Sequence, residues 1–352
     1  MRKSVYQSGF TLIEVMVAMM ITLILMSAVF MTFTKSSEAY RYTMGLADIQ
    51  ERGRFAMSFL QEAIRTADYT GCQQGVPINN QLNNPAGYFW NFGVGIEGVD
   101  SSEDDDLNVP PTNWNNAWAP AIDPALTLPQ GTGDVITVRG SVGTSVRLTG
   151  GMATLASPLP LAAANDTFAQ NSIMMVSSCA GLTDVFQRTN AQGTGVVAHA
   201  AGAGNPGNAV NTLAAPGYPT DSHLTQVMTR SFFIRTNPAG TGNSLYVRWG
   251  PTNAELRELI EDVDGMQIQY GITTDNTRAA NQYLTADQVA AAGAWASVVS
   301  VRISLLVRSP DGITKAQDNR IYRLFGIQYG PYRDLRRRRV FTTVVSLRNR
   351  MN

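Results

Sequence analysis

Glu14 is the residue whose chemistry packing explains least. It stands just before Val15 to Phe33, a run of 19 residues with no charge and only Thr22, Ser27 and Thr32 as polar interruptions. An ionised carboxylate in hydrocarbon costs at least ~2.5 to 3.5 kcal/mol, so a plain membrane anchor would not keep one there. A cut between Gly9 and Phe10 would create an α-amino group one helical turn from Glu14, near the positive end of the helix dipole. That amine can neutralise the carboxylate, in the same chain or in an adjacent one.

The other residues with chemical potential are more scattered. His199 and His223 are the only histidines, without a second His, Cys or Glu at ligand spacing or a nucleophile motif, so both are expected on the surface. Gly202, Gly204 and Gly207 spell a dinucleotide-type glycine motif, but Pro206 falls inside it and Pro216 ends any following helix, which leaves a flexible loop. Asp100 and Glu103 to Asp106 form the densest acidic run. Asp100, Asp104 and Asp106 are the calcium candidates there, yet the turn glycine and distal glutamate of an EF-hand loop are missing, and a solvated loop is the simpler reading. Arg336 to Arg339, with Arg348 and Arg350, suit either an anionic partner or a strand edge guarded by charge. Cys72 and Cys179 are too few for a thiolate zinc site. In an exported domain they are placed to staple a helix end to a strand across a 107-residue separation, worth on the order of 4 to 5 kcal/mol; two buried free thiols are the alternative. Nothing here makes a nucleophile, metal set or cofactor loop, so the expectation is a non-enzymatic protein without cofactor or metal.

The elements that position these residues begin with a helix. At about 1.5 Å per residue the apolar run is long enough for a bilayer core of about 30 Å. Arg2 and Lys3 before it, and the bulk of the chain after it, put the N-terminus in the cytoplasm and the remainder outside. A cleaved secretory signal fits less well, because no small-x-small site closes the run. Beyond Lys35 the helix continues as an amphipathic rod: Tyr42, Leu46, Ile49, Gly53, Ala56, Leu60, Ala63 and Ala67 recur every three or four residues. Gly45 and Gly53 either permit bending or permit close packing. Asp68 to Gly71 reads as the helix exit, with Gly71 as its cap.

After that the chain turns to strands: Asp134 to Arg139, Ser172 to Val176, Leu245 to Trp249, Met266 to Tyr270, Val299 to Val307 and Val340 to Leu347. The alternation in Met266 to Tyr270 and in Val299 to Val307 predicts one face on a core for each. Asn253 to Val263 and Thr285 to Ala292 read as short helices, the second opened by a Thr285/Gln288 capping box. Residues 77–129 and 190–219 are long, irregular, and rich in Asn, Pro and Gly, as recognition loops or variable insertions would be. Composition agrees with an α+β protein of one long helix and a β-rich domain with antiparallel sheets: 352 residues, 44% hydrophobic and only 15% charged. The 27 basic and 27 acidic residues cancel, which removes any general attraction to nucleic acid.

Gly9-Phe10-Thr11-Leu12-Ile13-Glu14, after a short basic leader and before a continuous apolar helix, resembles the class III signal of type IV pilins and type II secretion pseudopilins. Asp68 to Cys72, Ser177 to Gln187, Glu258 to Ile272 and Arg336 to Arg350 resemble, more specifically, the PilW minor pilins. The resemblance implies a type IV pilin-like fold, cleavage between Gly9 and Phe10 by prepilin peptidase, N-methylation of Phe10, and a Glu14 that pairs with a neighbour's Phe10 amine during assembly. The implied layout is a leader at 1–9, a transmembrane and assembly segment at 10–34, an amphipathic segment at 35–70 and a periplasmic or extracellular domain at 71–352. Its implied partners are other minor pilins, the major pilin, the inner-membrane assembly machinery and a tip adhesin, in a complex that primes pilus assembly and sits at the tip, supporting adhesion and twitching motility. The alternatives are a minor pseudopilin of type II secretion, a membrane-tethered periplasmic enzyme, and an adhesin in its own right.

Overall fold

The computed structural model describes residues 9–72, 75–101, 118–126, 133–238, 240, 242–251, 255–275 and 277–350. Its dominant element is one unbroken helix, α1 (Leu12–Arg65), of 54 residues and thus about 80 Å long. Thr11, in extended backbone conformation, caps its start. α1 ends because a sheet takes over its backbone: Ala67 forms a bridge to Gly140, and the Asp68 amide donates to the Arg139 carbonyl at 2.9 Å. The cap is Thr66, so the expected role of Gly71 is corrected; Gly71 has φ +104° and shapes the turn beyond the helix.

In chain order the strands that follow are β1 (Asn79–Asn80), β2 (Ile96–Val99), β3 (Val135–Arg147), β4 (Leu159–Pro160), β5 (Ile173–Ser178), β6 (Leu182–Gln187), β7 (Val196–Val197), β8 (Gly202–Ala203), β9 (Gly207–Asn208), β10 (His223–Thr236), β11 (Asn243–Arg248), β12 (Leu256–Glu261), β13 (Val263–Ile272), β14 (Gln282–Leu284), β15 (Val298–Arg308), β16 (Tyr322–Leu324), β17 (Ile327–Tyr329) and β18 (Arg338–Ser346). The short helix α2 (Ala286–Ala291) lies between β14 and β15 and opens with the expected Thr285/Gln288 box. β10 is the spine of the first sheet. One of its edges takes β3, and β2 beyond it; the other takes β5, β6 and β1 at its beginning and β11 and β12 at its end. The second sheet runs β14-β13-β15-β18 and is antiparallel throughout.

Both sheets present apolar faces to α1. Ile49, Ala56, Leu60, Ala63 and Ile64 meet Ile136, Val138, Phe232 and Ile234 of the first sheet and Ile268, Val301, Ile303 and Val345 of the second, in one continuous core. The two glycines permit close packing, not bending. A Cβ on Gly45 would lie 2.8 Å from the Ile313 side chain, and one on Gly53 would lie 2.4 Å from the Phe341 ring. Gly140 is tighter, because its Cβ would lie 1.9 Å from the Thr66 carbonyl oxygen, and backbone cannot swing aside. Gly140→Ala should therefore destabilise the protein by about 3 kcal/mol, the upper end of ordinary overpacking costs. Urea unfolding of the detergent-solubilised chain checks it; an unchanged midpoint would contradict this junction.

Two expectations are corrected here. Among the described residues of 253–263 the expected helix is absent: Leu256–Glu261 is a strand on the edge of the first sheet, with Leu245 opposite Ile260 and Tyr246 opposite Glu258. Arg, Glu and Leu favour helix locally, but pairing with β11 and burial of Ile260 decide the outcome. The second correction is that β13 and β15 are covered on both faces. Leu306 packs with Leu324 and Tyr329, and Gln267 donates to the Tyr329 hydroxyl at 3.0 Å, so the segment around β16 and β17 closes the face away from α1. The two long irregular stretches are partly structured: β2 and the buried Phe89 and Phe92 lie in 77–129, and β7 to β9 lie in 190–219.

Candidate assembly helix and its anchorage

From Phe10 to Phe33 the helix and its approach are exposed along their whole length among the described residues; Phe10 is 89% exposed. Gly9 and Phe10 precede the first helical residue in open, accessible backbone, as a cleavage site must. Glu14 is occupied in a way the sequence reading missed. One of its carboxylate oxygens accepts from the Thr11 amide and from the Thr11 hydroxyl, both at 2.9 Å, and the Glu14 amide donates to the Thr11 hydroxyl at 3.4 Å. The signal was present as Thr-x-x-Glu, the spacing of a capping box. Glu14 therefore holds the helix start together while its charge stays on the surface of the rod.

The second half of α1 is fixed to the domain at several heights. Lys315 reaches Glu38, and this ammonium holds the Glu38 carboxyl below the usual range. Arg52 bonds Asp48 at 3.0 Å and Asp262 at 2.7 Å, and Asp262 also accepts from Arg308 at 2.8 Å. Gln61 donates to Thr343 at 2.9 Å. At the top, the chain's last described residues close over the helix end. Asn349 donates to the Ala67 carbonyl at 2.7 Å, and Arg350 pairs with Asp68 at 2.5 Å while donating to the carbonyls of Trp295 and Val298. Cys72 and Cys179 form the expected disulfide, Cα to Cα 5.1 Å, tying the turn after α1 to the turn between β5 and β6.

The remaining candidates resolve as structure. Arg338 is buried and bonded to Asp264 at 2.6 Å, Asp318 at 3.2 Å and Asp334 at 2.6 Å, and Arg336 reaches Asp262, so half of the run Arg336 to Arg339 is taken up in internal ion pairs; Arg339 and Arg348 remain exposed. His199 is buried, not on the surface, with Nε2 3.1 Å from the Ser157 carbonyl oxygen and its ring on Phe186, while His223 is half-buried in β10. Gly202, Gly204 and Gly207 lie in the β8–β9 hairpin with no helix after them, which removes the dinucleotide reading. Of the calcium candidates, Asp104 and Asp106 lie outside the described residues, as do Glu103 and Asp105. Among the described residues no group of three His, Cys, Asp or Glu side chains is arranged for a metal.

Asp100 instead engages Asp134. Burial, and then the charge and hydrogen bond of Asp100, push the Asp134 carboxyl well above its usual range. Asp134 also joins the two sheets, accepting from the Ser101 amide and hydroxyl at 3.1 Å and from the Ile268 amide at 2.6 Å. A carboxyl raised in the folded state contributes stability that is full below its unfolded pKa of about 3.9 and fades as pH rises through the folded value. Asp134→Asn cannot ionise, so the variant should gain on the wild type between pH 4 and pH 8 in urea unfolding. Parallel pH profiles would contradict a raised Asp134 carboxyl.

Comparison with known families gives two matches. The family described as Type IV Pilus-assembly protein W matches over residues 231–349, and the prokaryotic N-terminal methylation motif matches over residues 5–30. Among solved structures, a type IV-like pilin from Thermus thermophilus is similar at a TM-score of 0.30 and 10% identity, covering 86% of this chain and 97% of that one. No curated protein matches. The first match holds the second sheet, its ion-pair network and the cap on α1, and the second holds Gly9 to Glu14 and the exposed apolar helix. A stretch similar to the type IV pilus-assembly protein W family, at residues 231–349, and a prepilin-type methylation motif, at residues 5–30, therefore stand in one chain.

Proposed function

We propose that this pilin is a minor pilin, a low-abundance subunit that joins other minor pilins in a complex priming pilus assembly, sits at the tip, and supports twitching motility and adhesion. The observation that carries the reading is the pairing of an exposed Gly9–Phe10 junction and Glu14 with a domain whose family is defined by pilus assembly. Prepilin peptidase removes residues 1–9 and Phe10 is N-methylated. Residues 10–34 hold the chain in the inner membrane, with the domain at 71–352 in the periplasm and the amphipathic segment 35–70 between them. On assembly, Glu14 exchanges its Thr11 contacts for the Phe10 amine of a neighbouring subunit as the pair leaves lipid, which offsets the cost of a lone carboxylate in hydrocarbon. The domain surface then selects its neighbours among minor and major pilins. The role is structural, not enzymatic.

Deleting the gene in its own host tests this. Loss of surface pili and of twitching, restored by the intact chain, is the expected result. Normal piliation with defective protein secretion would reassign the chain to a type II secretion system.

A further inference from the structure

The chain has only three lysines against 24 arginines, and the structure gives their placement a meaning. Lys3 lies in the leader. Lys35 and Lys315 are 280 residues apart, yet both close on Glu38, Lys35 at 3.8 Å and Lys315 in direct hydrogen-bond contact. Each lysine side chain remains 81% exposed, so Glu38 orients the two ammonium groups without hiding them. Lys315 arrives on the loop between β15 and β16. That loop is braced by Ile313 packed on Gly45, by Arg337 donating to the Thr314 hydroxyl at 3.2 Å, and by Arg336 facing Asp311 at 3.9 Å.

The height of this loop along α1 is its main property. The apolar run ends at Phe33, and at about 1.5 Å per residue Glu38 stands only ~8 Å beyond it. The headgroup layer on each side of a bilayer core of about 30 Å is ~5 to 8 Å deep. Tyr40, 65% exposed, and Tyr42, 40% exposed, follow within the next turn, the aromatic type and level found at membrane–water interfaces. Arg41 is exposed beside them. The ammonium is a compact point charge with three donors on a flexible stem, suited to phosphodiester oxygens at varying depth.

We propose that Lys35 and Lys315, aligned by Glu38, form a foot through which the globular domain rests on the phospholipid headgroups of the outer leaflet before assembly. This rests on the reading of residues 10–34 as membrane-spanning. The loop between β15 and β16 is thus seated on phosphate, which fixes the domain's height and tilt over the bilayer until α1 is withdrawn. Two ammonium groups on one carboxylate leave a net positive charge facing the phosphates, and Arg41 adds to it.

The test uses the full chain in vesicles of phosphatidylethanolamine and phosphatidylglycerol. Cys72 and Cys179 are bonded to each other, so an introduced cysteine is the sole reactive thiol. A fluorophore is placed on Ala316→Cys in the foot, on Ser346→Cys at the far end of the second sheet, or on Ala28→Cys in the span. Ser346 adjoins the segment that caps Ala67, about 50 Å above the end of the apolar run. A nitroxide on the lipid headgroup should quench the label at 316 at least about threefold more than that at 346, given a headgroup layer only ~5 to 8 Å deep. Reversing both charges, Lys35→Glu with Lys315→Glu, should bring 316 down to the level of 346. Equal quenching at 316 and 346, or quenching at 316 that survives the charge reversal, overturns the foot. Ala28→Cys separates the two readings: quenching there by a mid-chain nitroxide keeps the span whatever the foot does, and its absence refutes the span.

Discussion

A Glu14→Ala chain should insert, be cleaved and fold normally, yet enter the pilus on the order of 100-fold less often than the wild type. The magnitude follows from the ~2.5 to 3.5 kcal/mol gained when a membrane carboxylate meets a cation, which is about two powers of ten in a partition. The structure supplies a control for the competing explanation, that the variant merely frays the helix start. The Glu14 carboxylate accepts from Thr11 in a capping box, and glutamine serves that box as well as glutamate. If the cap matters, Glu14→Gln restores incorporation; if the charge matters, Glu14→Gln is as poor as Glu14→Ala. The charge-based account expects the second result, read by quantifying the subunit in sheared pili against the membrane fraction.

The second large effect concerns the disulfide. Cys72 and Cys179 close a separation of 107 residues, and chain entropy assigns such a loop on the order of 4 to 5 kcal/mol. The double variant Cys72→Ser with Cys179→Ser should unfold about 8 to 20 °C lower, since one kcal/mol is worth roughly 2 to 4 °C in a domain of this size. The loss should concentrate where α1 gives way to the sheet, because Thr183 donates to the Thr70 carbonyl at 2.7 Å and the bond holds that contact in register. Calorimetry of the solubilised chain measures it. A shift below about 2 °C would mean that Asn349, Arg350 and the Ala67–Gly140 bridge already hold the junction unaided.

Features carried by local pattern were legible in the sequence. Ile49, Ala56, Leu60 and Ala63 fall on the stripe that their spacing predicts, and the alternation at Met266 to Tyr270 marks a real inner face. The signal around Gly9 to Glu14 was legible because its chemistry makes little sense in an ordinary anchor. What escaped depends on partners far away in the chain. Nothing near Gly53 announces Phe341, and nothing near Arg338 announces Asp264 and Asp318 as its partners. Leu256–Glu261 carries helix-forming residues and is a strand because β11 offers it an edge. His199 looked like a surface histidine because its shelter comes from Ser157 and Phe186. Lys35, Glu38 and Lys315 converge only once the loop after β15 folds back along α1.

Whether this chain is processed and assembled as a pilin can be read from the intact mass of the membrane-extracted protein. With prepilin peptidase present, the mature chain should begin at N-methylated Phe10 and have lost Met1 to Gly9; without the peptidase, the leader should remain. A leader retained in both strains, or cleavage after Phe33, would contradict the account and remove the assembly role of Glu14.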